Sequence, residues 1–344
     1  MSRTLIVEPD DTAQPLLAAL DGAKKSVRIK MFIFSDPGLI EATIAARKRG
    51  VDVRVMLNTA RRSGESENDE SRKQLAAGGV TVLDSNPDFD LTHEKSMVVD
   101  DATAFVMSLN WETRNVSQTR DYGIVTTHKH EVEEVVACFE ADWNRTPFKA
   151  DETAQLIWCN NNGRERFAHF VDRAKHTLWL QNERYQDAVI IERVVRAVTR
   201  GVKVHILARP PHSLKKDKLI EGVGGLRIMQ DVGAKVHRLK GLRLHGKMML
   251  ADSARAIIGS VNLAPGSFDG RRELAIEVDD TAVIKRLEKI AQHDWDHSSA
   301  LDLSDAGLMA DLAKRGKGEG AADLVLDEQE EKHKHKHAKH GGGH

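Results

Sequence analysis

Two hydrophobic periods alternate along the chain. Dense apolar runs, SVRIKMFIF and VDVRVMLN early on, then HTLWLQN and VKVHILA later, predict strands. Between the members of each pair, PGLIEATIAARKRG and AVIIERVVRAVTRG repeat apolar residues at three- and four-residue spacing, which predicts an amphipathic helix. Gly50 and Gly201 then stand where a helix C-cap belongs. A second helix and strand follow in each case, in SRKQLAAGGVTVLD and in KDKLIEGVGGLRIMQDVGAKVHRL. A histidine-bearing strand then pairs with AFVMSLN or AIIGSVN, and a closing helix ends on Asp-Trp. Strands alternating with helices predict an α/β chain built as an α/β/α sandwich with mostly parallel or mixed sheets.

The pattern is one unit written twice. His93 and His245, Lys95 and Lys247, Asp100 and Asp252, Ser108 and Ser260, and Asn110 and Asn262 all repeat at an offset of 152 residues. Asp121 and Glu273 keep that offset, as do Asp142-Trp143 and Asp294-Trp295. The expected organisation is a first half over 1–150, a second half over 151–300, and an extension over 301–344. The extension ends in DEQEEKHKHKHAKHGGGH, a low-complexity tail that reads as disordered. Its histidines would hold a metal loosely and outside the reaction. Trp143 and Trp295 are expected as core anchors of the closing helices.

The repeated residues suit a phosphodiester. On a strand, residues two apart share a face, so His93 lies with Lys95 and His245 with Lys247. Ser108 with Asn110, and Ser260 with Asn262, share a face on the next strand. Lysine supplies a point charge for nonbridging oxygens, and amide and hydroxyl groups donate as charge builds on phosphorus. One neutral histidine can attack phosphorus while a protonated one gives its proton to the departing oxygen. Two copies supply both. Asp121 and Glu273, each 28 residues after its own histidine and each opening a strand-like run, are placed to fix an imidazole tautomer.

These residues resemble the phospholipase D superfamily, whose signature is H-x-K-x4-D-x6-G-S-x-N. The stretch HGKMMLADSARAIIGSVN meets every fixed position, and the stretch from His93 to Asn110 departs at Met107, where the family has Gly. The resemblance covers roughly residues 24–298. It implies a pseudo-twofold fold with one shared site, His93 as nucleophile, His245 as acid, a phosphohistidine intermediate and no metal or other cofactor. Asp100 and Asp252 are then structural, and Asp121 and Glu273 orient histidines, with the pairing left open. Met107 raises the question of how closely substrate approaches the first half-site. The implied activity is hydrolysis or transfer of the phosphatidyl group of a glycerophospholipid. Bacterial cardiolipin synthases share the two motifs but are commonly longer or carry membrane segments.

Composition narrows the partners. Lys and Arg total 51 against 52 Asp and Glu, and aromatic residues are 5 %. Neither favours coating or stacking on nucleic acid, so a nuclease of the same superfamily is the second reading and a silent scaffold the third. Lys215, Lys216 and Lys218, and Arg61 and Arg62, are candidates for contact with anionic headgroups or a nucleic-acid backbone. Cys138 and Cys159 are too few for a disulfide framework and are expected as reduced thiols. The N-terminus lacks the apolar stretch of a signal peptide, and no run approaches a transmembrane helix. The expectation is a cytoplasmic protein that meets a membrane peripherally.

Overall fold

The computed structural model describes residues 2–59, 67–151, 155–214 and 216–315. The His-rich tail, Arg61, Arg62 and Lys215 lie outside them, as do the side chains of Lys216 and Lys218. The first half runs β1 (Arg3–Glu8), α1 (Gln14–Gly22), β2 (Ser26–Met31), α2 (Pro37–Lys48), β3 (Asp52–Leu57), α3 (Asp69–Ala77), β4 (Thr81–Asp84), β5 (Leu91–Thr92), β6 (Ser96–Val99), β7 (Thr103–Met107), α4 (Thr113–Ser117), β8 (Thr119–Thr126) and α5 (Lys129–Asn144). The second repeats it as β9 (Leu156–Trp158), α6 (Gly163–Asp172), β10 (Thr177–Gln181), α7 (Ala188–Thr199), β11 (Lys203–Leu207), α8 (Lys216–Asp231), β12 (Lys235–Leu239), β13 (Arg243–Leu244), β14 (Met248–Ala251), β15 (Arg255–Gly259), α9 (Pro265–Asp269), β16 (Arg271–Arg272), β17 (Leu274–Val278) and α10 (Thr281–Asp296). A short β18 (Ser298–Ala300) and α11 (Asp305–Leu312) follow.

Each half has one mixed sheet, in the order β1-β8-β7-β6-β2-β3-β4 and β18-β12-β11-β10-β14-β15-β17-β9. Within each half, pairing is parallel where a helix makes the crossover, along β2-β3-β4 and β10-β11-β12. From β6 and β14 onward the strands are antiparallel, because tight hairpins and short excursions join them. The sheets are therefore mixed, one of the two arrangements expected from the helix-strand alternation. Gly50 and Gly201 both adopt φ +92°, closing α2 and α7 in the left-handed conformation a C-cap glycine allows.

The two sheets face each other across a shared core. Val98, Val106 and Tyr122 of the first half pack with Trp158, Met248 and Leu250 of the second, between α5 and α10. Separate cores lie outside, under α1 and α2 in one half and under α6 and α7 in the other. Backbone pairing also crosses the dyad: β13 runs parallel to the start of β8, and β16 runs parallel to β5.

The hairpins that carry the motif turn at Asp100-Asp101 and Asp252-Ser253, all four residues at φ between 51° and 56°. Asp100 accepts hydrogen bonds from the backbone N–H groups of Lys24, Lys25 and Ser26, and Asp252 from those of Lys175, His176 and Thr177. Each aspartate ties its hairpin to the start of β2 or β10, and those bonds hold both carboxyls below the ordinary value against the burial that would raise them.

Met107 is explained by its neighbour across the ladder. It pairs with Gly123 and is fully buried in the outer core. Gly259, at the equivalent place, pairs with Ala275, and a Cβ there would lie 2.3 Å from the Leu274 carbonyl oxygen. The first half has moved its small residue to the opposite strand, and Met107 points into the core rather than toward the site.

Candidate active site

His93 and Lys95 do not sit within a regular strand. They occupy the break between β5 and β6, as His245 and Lys247 occupy the break between β13 and β14. The backbone N–H groups of His93 and Glu94 both donate to the Arg272 carbonyl, and those of His245 and Gly246 to that of Arg120. Each histidine is thus docked on a strand of the other half. Each lysine curls back to donate to the carbonyl of its own motif histidine, at 2.7 Å for Lys95 and 2.5 Å for Lys247.

The acids cross as well. His93 Nδ1 bonds Glu273 Oε2 at 2.9 Å, and His245 Nδ1 bonds Asp121 Oδ1 at 2.8 Å. Each carboxylate serves the histidine of the opposite half. With Nδ1–H donated to the acid, Nε2 of each ring is left for chemistry.

Around each acid lies a cradle. Ser108, Asn115 and Thr119 donate to Asp121 at 2.6–3.0 Å. Ser260 and Ser267 lie beside Glu273, and Arg271 Nη1 is 3.8 Å from its Oε1. The serine hydroxyls are therefore not aimed at phosphorus as the sequence suggests. Ser108 is fully buried, with its hydroxyl on Asp121, and the Ser260 hydroxyl bonds the Leu274 backbone. Asn110 and Asn262 are buried at equivalent positions, each with an amide oxygen that meets no partner, whereas the Asn110 amide donates to Glu112. Asn115, Thr119, Ser267 and Arg271 escape notice in the sequence, although the same 152-residue offset links Asn115 to Ser267 and Thr119 to Arg271.

Charge converges here. Burial first, then Lys95, Arg271, Lys247 and His245, hold the His93 ring well below the ordinary imidazole value, so it is neutral at neutral pH. Burial and then Lys247 likewise hold Lys95 well below its ordinary value. Burial works against the Asp121 carboxylate, but His245 holds it below the usual range; burial pushes Glu273 up despite Arg271 and Lys95. Groups of both motifs thus act on one another electrostatically.

A second crossed pair lies beneath each acid. Arg272, next to Glu273, makes a two-pronged bond to Asp142 on α5, and Arg120, next to Asp121, makes one to Asp294 on α10. The Asp-Trp repeat owes its buried member to these aspartates. Trp143 and Trp295 are only part-buried, Trp143 stacking on Phe139 and Trp295 on His237. Among the described residues the trio with metal-ligand spacing is Glu94, Cys138 and Asp142, and the Lys30 ammonium sits on all three at 2.9, 3.5 and 2.7 Å. Both cysteines are free thiols.

Leu244, the residue before His245, lines a cavity of about 470 Å³. Arg114, Arg209, Arg238 and Arg243 line it together with leucines 239, 242 and 244, and none of its described lining residues is acidic. Glu183, on the loop after β10, joins the cavity to the site: Arg209 is 3.5 Å from it on one side, and Lys247 bonds it at 2.9 Å on the other.

A duplicated mixed-sheet fold whose two motifs build one site is the architecture of the phospholipase D superfamily. The chain belongs to it: the family described as cardiolipin synthase, PLD-like domain, matches twice, over residues 16–143 and 167–295. It is 24 % identical over 317 residues to cardiolipin synthase A of Pectobacterium carotovorum subsp. carotovorum (strain PC1), covering 79 % of this chain and 64 % of that protein. The chain therefore spans less than two thirds of that relative's length. In fold it is similar to the phosphatidylserine synthase of Haemophilus influenzae Rd KW20, with a TM-score of 0.66, 12 % identity, and coverage of 95 % of this chain and 94 % of that one. It is also similar to the polyphosphate kinase of Porphyromonas gingivalis, with a TM-score of 0.71, 17 % identity, and coverage of 96 % and 53 %. No described helix is long and apolar enough to cross a membrane.

Proposed function

We propose that this protein cleaves the phosphodiester of a glycerophospholipid and passes the phosphatidyl group to water or an alcohol through a phosphohistidine. The observation that carries the reading is the convergence of both motifs on His93 and Lys95, where Lys95, Lys247 and His245 oppose a proton on the buried His93 ring and Lys247 opposes the charge on Lys95. An anion stabilises such a group, and a phosphodiester is the anion that the rest of the site can process.

His93 Nε2, neutral and backed by Glu273, attacks phosphorus and forms the N–P bond. The P–O bond to the alcohol breaks, and that oxygen takes the proton from His245 Nε2. Water or a second alcohol then attacks phosphorus and gives its proton to His245, and the N–P bond breaks. Lys95 and Lys247 neutralise the nonbridging oxygens. The mixed arginine and leucine lining of the adjoining cavity suits an amphiphile with an anionic head. The cardiolipin synthase and phosphatidylserine synthase likenesses support a lipid substrate.

The test is turnover of phosphatidylcholine, phosphatidylglycerol and single-stranded DNA side by side in EDTA, with isolation of a labelled phosphoenzyme. Lipid turnover with label on His93 is expected. DNA cleavage without lipid turnover would replace the lipid reading with a nuclease.

A further inference from the structure

The two half-sites differ in what stands beside each motif histidine. The bridges Phe34 to Trp111 and Tyr185 to Leu263 fix the correspondence of the segments after β2 and β10, and they place Phe32 opposite Glu183. In the first half, the Phe32 ring packs edge-on against His93 with centroids 4.8 Å apart, and the Lys95 ammonium lies 5.1 Å from its centre. In the second, the Glu183 carboxylate accepts a bond from Lys247 at 2.9 Å and stands 3.7 Å from His245 Nε2. The ring of one histidine therefore packs on an aromatic hydrocarbon, and the reactive nitrogen of the other has a part-buried anion beside it.

We propose that Glu183 is the positioning residue that divides labour between the histidines, reserving His245 for proton donation and leaving His93 to attack. A carboxylate beside Nε2 gives a proton on that nitrogen a partner, and an aromatic ring gives it none. The inference rests on the phosphodiesterase reading and adds a direction to it. The leaving alcohol departs, and the accepting alcohol arrives, on the Glu183 side, where Arg209 of the arginine-lined cavity stands 3.5 Å from that carboxylate. Glu183 is itself held between Lys247 and Arg209, so an incoming phosphoryl oxygen can take its place on Lys247 while Arg209 retains the carboxylate.

The experiment compares Glu183→Gln with the unaltered protein in first-turnover release of choline from phosphatidylcholine and of p-nitrophenol from phosphatidyl-p-nitrophenol, in mixed micelles. An alkoxide needs a proton to leave and p-nitrophenolate does not. Choline release is expected to fall about 10- to 100-fold in kcat with little change in KM, up to the lower end of the range for general acid catalysis because His245 itself is retained, while p-nitrophenol release stays within about twofold. Glu183→Asp, which keeps the charge, should recover most of the choline rate and serves in place of the glutamine variant if that one folds poorly. An equal fall for both leaving groups, or none for either, would overturn the assignment. An unaltered protein that released neither product would overturn the lipid reading, and this inference with it.

Discussion

The buried ion cluster beneath the nucleophile invites a quantitative test by Arg272→Met. Lys30, Glu94, Asp142 and Arg272 are each at most 4 % exposed, two cations against two anions. Burial opposes the Asp142 carboxylate, yet Lys30 and Arg272 hold its pKa at about 2, against an ordinary 3.8. A folded value below the unfolded one stabilises the fold above pH 3.8, and that contribution disappears as the pH falls through about 2. At neutral pH it amounts to about 2 kcal/mol. Removing the guanidinium also strands one net negative charge in the core, and breaking such a pair costs about 3–5 kcal/mol. The expected loss is therefore about 2–5 kcal/mol, or about 3–8 °C in melting temperature for a chain of this size. Arg272→Met with Asp142→Leu leaves Lys30 and Glu94 as a neutral pair and should recover most of the loss, so the cycle reads a large coupling. Urea denaturation and calorimetry at pH 7 provide the measurements. A single-variant loss under about 1 kcal/mol, or purely additive effects, would refute the view that Arg272 stabilises the fold by balancing the buried charge of Asp142.

Other perturbations bear on the site directly. His93→Ala and His245→Ala should each nearly abolish turnover, because neither role has a substitute; near-normal rates on a turned-over lipid would remove that histidine from the mechanism. Glu273→Gln and Asp121→Asn, at the Nδ1 bonds, should each cost about 1.5–3 kcal/mol, a 10- to 150-fold drop in kcat, measured on protein whose melting is unchanged. Because His93 is held well below 6.5, the acid limb of kcat/KM should fall well below that pH, and protonation of the nucleophile should suppress the rate on the low-pH side. Gly259→Ala should destabilise by about 1–3 kcal/mol in chemical denaturation, since the new methyl meets the Leu274 carbonyl and the Ala275 backbone.

The duplication, its helices and most residues of the site were legible from the sequence because each rests on local spacing, and spacing survives translation by 152 residues. The partner of each histidine was not legible. Asp121 is 28 residues from His93 and 124 from His245, and only the packing of two sheets on one core shows that the longer separation is the bond. The serines were misjudged for a related reason. A hydroxyl two residues from a motif asparagine looks exposed to substrate until β8 is placed behind it, with Asp121 at its back. Met107 looked like a lapse in the motif because a glycine was sought at one position, whereas the close approach involves two strands and Gly123 meets it from the other. Glu183 carried no signal, because it differs from Phe32 and a search for repeats passes over what is not repeated.

The exchange of acids between the halves bears on how this gene can change. A substitution near Glu273 is felt first by a ring encoded 180 residues earlier, and one near Asp121 by a ring 124 residues later. Neither copy can be retuned for a new substrate, or let go, without altering the chemistry of its twin. The duplicated segments are therefore bound to drift in concert, and the freedom that duplication usually grants is confined to positions such as Glu183 and Phe32, where the copies have already parted.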